Sequence, residues 1–179
     1  MKKIILSAFA VCAFAFSNAQ DSKLSFGMKA GVNFSSVSGL KGADGKDAKG
    51  RTGFYVGGLA EYSISDKFSI QPEVLYSMEG ADKSSLDYIR IPVMAKYEVV
   101  ENFSILAGPS FAFRMAAENA EVEKATKSSD FGLGIGAAYA FGNIFVDARY
   151  NMGLSDIKDS SGGDALKNNN IQLGIGYKF

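Results

Sequence analysis

Ile171-Gln-Leu-Gly-Ile-Gly-Tyr-Lys-Phe179 closes the chain. In an extended strand, successive side chains point to opposite faces. Ile171, Leu173, Ile175, Tyr177 and Phe179 therefore share one face, and Gln172, Gly174, Gly176 and Lys178 share the other. The larger side chains fall on the apolar face and the small and polar ones on its opposite, with no break up to the final residue.

The same two-residue period recurs upstream. Leu24, Phe26, Met28, Ala30, Val32 and Phe34 alternate with Ser25, Gly27, Lys29, Gly31 and Asn33. Further runs over about 52–63, 67–79, 88–97, 103–114, 130–139 and 144–153 repeat the scheme, which with the closing run makes eight strands. Twenty glycines, fourteen phenylalanines, eight tyrosines and three prolines suit short aromatic strands joined by turns. Three connections are tight: Ser65-Asp66-Lys67, Val100-Glu101-Asn102 and Phe141-Gly142-Asn143. The other four, about 35–51, 80–86, 115–129 and 155–169, are longer or more polar.

Tight turns at one rim and long connections at the other are the plan of a transmembrane β-barrel. In lipid each backbone N–H and C=O needs an internal partner, so such a sheet has to close. An eleven-residue strand rising ~3.3 Å per residue and tilted roughly 40–45° covers about 25–28 Å, the height of a lipid-facing band. The expected fold is all-β: an eight-stranded antiparallel up-and-down transmembrane β-barrel, its termini on the periplasmic side.

A soluble up-and-down barrel also has eight strands but reverses the faces. Here the minority face carries Lys29, Glu61, Glu73, Arg90, Lys96, Arg114, Asp147, Arg149 and Lys178, among many glycines. Such a set is expected inside a membrane barrel as a charge network. The aromatic residues Phe34, Phe54, Tyr62, Phe68, Tyr97, Phe103, Phe131, Tyr139, Tyr177 and Phe179 cluster at strand ends on the apolar face, as interfacial girdles do. On this assignment Leu173 meets lipid and Gln172 the lumen, so arginine should be far milder at 172 than at 173. Pro72, Pro92 and Pro109 fall inside strands, where each removes a ladder donor; local bulges are expected there.

At the other end, Lys2 and Lys3 precede an apolar run from Ile4 to Phe16, followed by the small residues Ser17-Asn18-Ala19. This pattern marks residues 1–19 as a secretory signal peptide and 20–179 as the barrel domain. Cys12, the single cysteine, lies in the signal, so no disulfide or thiol chemistry is expected after cleavage. Without Lys2 and Lys3 the chain has 17 basic against 19 acidic residues, a net of −2 with no electrostatic case for nucleic acid.

The closing alternation, running to an aromatic carboxyl terminus, resembles the terminal strand of bacterial outer-membrane barrels. That resemblance implies reading of Tyr177 and Phe179 by the barrel-assembly machinery. Leu86-Asp-Tyr-Ile-Arg-Ile-Pro-Val-Met-Ala-Lys-Tyr97 resembles the fourth-strand motif of the PorT-like outer-membrane β-barrel domains. So do Ala107-Gly-Pro-Ser110, Asp130-Phe-Gly-Leu-Gly-Ile-Gly136, Arg149-Tyr-Asn-Met-Gly-Leu154 and Leu173-Gly-Ile-Gly-Tyr-Lys-Phe179. The resemblance implies a small barrel in outer-membrane lipid. The family's namesake is associated with the type IX secretion and gliding apparatus, so an envelope protein partner is a further implication. No residue here singles out that role.

The absence of histidine excludes a His-based triad, a His general base and His-ligated metal. Glu61 and Glu73, on adjacent strands, could form an acid pair for an envelope lipid-modifying enzyme. The cost of burying unpaired charge favours instead their pairing with Arg90, Lys96 or Arg149. Gly132, Gly134, Gly136, Gly174 and Gly176 face inward, making room for Arg149, Tyr88 and Met94 or, alternatively, lining a water or ligand cavity. The run Gly39–Gly50, with Asp44, Gly45 and Asp47, lacks the regular ligands of a calcium loop. The expected function is therefore structural or binding through the outer loops, without enzymatic activity, cofactor or metal.

Overall fold

The computed structural model describes residues 23–38, 50–81, 84–117, 129–155 and 167–179. Residues 1–19, the expected signal peptide, and the Gly39–Gly50 run up to residue 49 lie outside them. Eight strands form one closed antiparallel barrel in chain order: β1 (Leu24–Ser38), β2 (Arg51–Ser63), β3 (Phe68–Ala81), β4 (Ser84–Val100), β5 (Phe103–Ala117), β6 (Ser129–Phe141), β7 (Ile144–Gly153) and β8 (Lys167–Lys178). Closure comes from β1 pairing with β8, from Gly27↔Lys178 to Ser38↔Lys167. No edge strand remains, which is the condition for placing a sheet in lipid.

Alternation sets which face looks where. In β7 every second residue from Phe145 to Gly153 is buried and the intervening ones are exposed. In β8 Leu173 is 46% exposed and Gln172 only 1%. Exposed large side chains are apolar and aromatic on all eight strands, among them Phe54, Tyr97, Ile105, Ile135 and Ile175. The buried set is dominated by Lys29, Asn33, Glu73, Arg90, Asp147, Arg149 and Gln172. The polarity of this molecule is inside out relative to a soluble barrel, as a lipid solvent requires.

Aromatic pairs on the outer face repeat at eight-residue spacing: Phe54 and Tyr62, Phe68 and Tyr76, Phe103 and Phe111, Phe131 and Tyr139. Eight residues at ~3.3 Å rise and roughly 35–45° tilt separate two ring levels by about 19–22 Å, close to a ~25 Å apolar band. The two girdles therefore bracket the acyl region. At the turn rim, Gly142 takes φ 65° and Asn102 φ 66°, left-handed conformations that Gly and Asn accommodate in tight connections.

Two sequence expectations change. The polar stretch 80–86 is not a long connection, because β3 continues to Ala81 and β4 starts at Ser84, with Gly80↔Ser85 and Ala81↔Ser84 paired. Backbone pairing extends there past the point where side-chain alternation fades. The bulges expected at the prolines are also absent. Register is unchanged across Pro72, Pro92 and Pro109 on both neighbouring strands, and the ladder instead skips pairs beside them. Irregularities in register occur elsewhere, between Asp87 and Tyr88 and between Glu98 and Val100, both on the β4–β5 seam.

Candidate functional site

An eight-stranded barrel is only wide enough for its side chains to fill. Here that filling is ionic, and it stands in three tiers between the rims. At the turn rim Glu61, from β2, accepts from Lys96 Nζ at 3.0 and 3.1 Å and forms an ion pair of 2.6 Å with Lys178. At mid-height Arg149 makes a two-pronged contact with Glu73, at 2.8 and 3.0 Å. Lys29 Nζ donates to Asp147 Oδ2 at 2.6 Å and lies 3.6 Å from Glu73. Arg149 Nη2 also stands 3.4 Å from Asp147, so two cations and two anions share one cluster. Gln71 donates to Glu73 at 2.7 Å, and Tyr55 OH donates to Asp147 Oδ1 at 3.5 Å.

The third tier, at the loop rim, centres on a residue that sequence reasoning left out. Glu79 is fully buried and takes Arg90 on both oxygens, at 3.0 and 2.7 Å. Ser77 and Asn168 donate to the same carboxylate at 2.8 and 2.6 Å. Asp130, 4.0 Å from Arg90, adds a second acid and accepts from Ser155 at 2.8 Å. Glu79 was legible: it follows Glu73 and Ser77 at the same parity. Arg114 is half-buried and pairs in register with Tyr88 on the same side of the lumen.

The charges of the mid-height tier come from three strands, Lys29 from β1, Glu73 from β3 and both Asp147 and Arg149 from β7, so the cluster braces the cylinder across its diameter. Isolated charges of this burial would be strongly destabilising; mutual neutralisation with hydrogen bonds to the remaining oxygens offsets that penalty. Glu61 and Glu73 do not form an acid pair. They occupy different tiers, each held by its own cations.

The inward glycines make room for specific neighbours. A Cβ at Gly134 would stand 3.3 Å from Met94 Cε, and one at Gly136 3.2 Å from Arg149 Cβ. At Gly174 it would strike the Tyr55 hydroxyl, and at Gly176 the Phe145 ring. Tyr55 and Phe145, rather than Tyr88, are thus the rings these glycines admit. A pocket bordered by Gln71, Lys96, Phe145 and Lys178 has about 10 Å³, room for a single water. Among the described residues no cluster of three acidic, histidine or cysteine side chains is arranged for a metal ion.

At the carboxyl end Tyr177 and Phe179 are exposed on the outer face, their rings 5.6 Å apart, and Phe179 N–H donates to Phe26 C=O at 2.9 Å. The last residue is thereby tied to β1 across the closing seam.

A family model described as the outer membrane protein beta-barrel domain matches residues 18–159. The chain belongs to this family. As an outer-membrane β-barrel domain it resides in the outer membrane, and its solved neighbours share the architecture. The attachment invasion locus protein Ail of Yersinia pestis aligns at 18% identity and TM-score 0.54, covering 88% of this chain and 99% of that one. Neisserial surface protein A aligns at 16% identity and TM-score 0.53, covering 86% and 97%. At such identities the likeness concerns the fold. No curated protein matches the chain.

Proposed function

We infer that this outer-membrane barrel is non-enzymatic and non-conducting, and that it acts structurally or by binding through the segments joining its strands at the loop rim. One observation carries the reading: among the described residues the lumen is crossed by three tiers of paired charge, and the pocket between Gln71, Lys96, Phe145 and Lys178 has room for about one water. Carboxylates engaged by two-pronged arginines are poor acids and bases, because proton transfer would strand a buried guanidinium. Reconstitution in planar bilayers is expected to give no stepwise ionic current above the lipid baseline. Reproducible unitary steps would overturn the filled-lumen reading.

The segments 39–49, 82–83, 118–128 and 156–166 lie outside the described residues, but their composition bears on ligand class. They contain seven lysines against nine acidic residues, a net of −2. Ail has been solved with the heparin analogue sucrose octasulfate. A net negative set of connections offers no comparable attraction for a polyanion, so a neutral or basic partner surface suits this chain better. Proximity labelling in cells would identify it.

The orientation belongs to the same proposal. Residues 1–19 act as the signal peptide, the tight turns and both ends of residues 20–179 face the periplasm, and Tyr177 with Phe179 is read by the barrel-assembly machinery. The terminal alternation and the short-turn rim support this arrangement. PorT-like membership, with an envelope protein as partner, rests on the five motifs quoted above. Recovery of a stoichiometric partner from detergent extracts would support it.

A further inference from the structure

The prolines are not scattered through the wall. The β1–β2, β8–β1, β5–β6, β6–β7 and β7–β8 seams run without a skipped pair. The three remaining seams are adjacent, and each skips two consecutive pairs at one proline. On β2–β3 the ladder passes from Leu59↔Glu73 to Tyr62↔Ile70 and omits Pro72. Between β3 and β4 it passes from Pro72↔Val93 to Leu75↔Arg90 and omits Pro92. From β4 to β5 it passes from Pro92↔Ser110 to Ala95↔Ala107 and omits Pro109.

These gaps stand side by side. Pro72 pairs with Val93, and the unchanged register on the next seam places Val93 across from Pro109. The row lies between the two aromatic girdles, in the acyl region. A proline nitrogen has no proton to give, so the facing carbonyl loses its donor, and lipid supplies no water in its place. Gly108 lies beside the gap, its position too close to the Val93 carbonyl oxygen to carry a Cβ, a crowding also seen at Gly31 on the uninterrupted β8–β1 seam.

Side chains inside the barrel bridge the same seams. Glu61 on β2 and Lys96 on β4 clasp across β3, spanning the first two gapped seams. Glu79 on β3 holds Arg90 on β4, and Arg90 Nη1 donates to Ser110 Oγ on β5 at 3.3 Å. Lumen ion pairs, with the Arg90–Ser110 hydrogen bond, thus cross each seam where the ladder is thinned.

We propose that the β2–β5 wall is a compliant panel of this barrel, which opens locally at the proline row while the rest of the wall stays closed, and whose opening is restrained by the Glu61–Lys96 and Glu79–Arg90 latches. Hydrogen exchange follows such local openings amide by amide.

The test is exchange on the full processed chain in phospholipid nanodiscs. Amides of Glu73, Val74, Val93 and Met94 are expected to exchange about tenfold or more faster than those of Val32, Ile135 and Leu173 on the uninterrupted seams. Lys96→Met should speed exchange further in the panel and leave β6–β8 unchanged. Pro109→Val, which restores a donor, should slow it at Val93 and Met94. Equal protection around the wild-type barrel would overturn the proposal, as would a folded Pro109→Val barrel with unaltered exchange in the panel. Should Lys96→Met fail to fold, the wild-type comparison and Pro109→Val still decide the matter.

Discussion

Glu73→Ala is expected to destabilise the barrel by about 3–5 kcal/mol, the usual consequence of breaking a buried ion pair by removing one partner. Glu73 is 1% exposed and engages Arg149 on both oxygens, with Lys29 3.6 Å away. Its removal leaves two buried cations facing Asp147 alone, so the loss reflects stranded charge more than a missing contact. Glu73→Gln keeps the volume and removes the charge, and should retain most of the effect. Equilibrium urea unfolding of the refolded barrel in lipid vesicles measures both. If Arg149→Met is introduced together with Glu73→Leu, the loss should be much smaller than for Glu73→Ala, because no unpaired guanidinium remains. A Glu73→Ala barrel within about 1 kcal/mol of wild type would show that the charges are solvated, contrary to the packed lumen.

Leu173→Arg carries the second large effect. Leu173 points outward, pairs with Val32 and Ala148, and lies between the ring levels of Tyr150 and Tyr177. Arginine near the bilayer midplane of a barrel costs about 2–4 kcal/mol, falling toward zero at the interfaces. The same unfolding measurement should therefore give a loss of that size, with Leu173→Ala clearly milder. Gln172→Arg is no longer a gentle counterpart. Gln172 is 1% exposed and pairs with Arg149, so a longer cation there meets both crowding and like charge.

The legible part of this molecule is the part governed by period two. Each strand has one face in lipid and one in the lumen, so the side-chain pattern reports both strand identity and facing, as from Leu24 to Phe34 and from Ile171 to Phe179. The polar minority face marked the lumen residues for the same reason. Partner choice was not legible, because tiers arise from register between strands far apart in sequence. Glu73 meets Arg149 and Lys29 only once the cylinder closes, and Glu61, also a carboxylate on a neighbouring strand, goes to a different tier. Glu79 closes the alternating run 67–79, so its lumen position was legible, while its partners Arg90 and Asn168 were not. The prolines misled in a related way. Loss of one donor does not force an extra residue into the strand, because a skipped pair is sufficient and leaves register intact.

Spin-label accessibility along β8 tests the central claim most directly. Single cysteines at positions 169–177 of the processed chain, labelled and reconstituted in bilayers, can be read for collision with oxygen, which partitions into lipid, and with a water-soluble nickel chelate. Labels at 171, 173, 175 and 177 should respond strongly to oxygen and weakly to nickel, with labels at 170 and 172 shielded from both. Uniform accessibility along the strand, or the opposite alternation, would contradict a barrel that turns its apolar face to lipid and its charges inward.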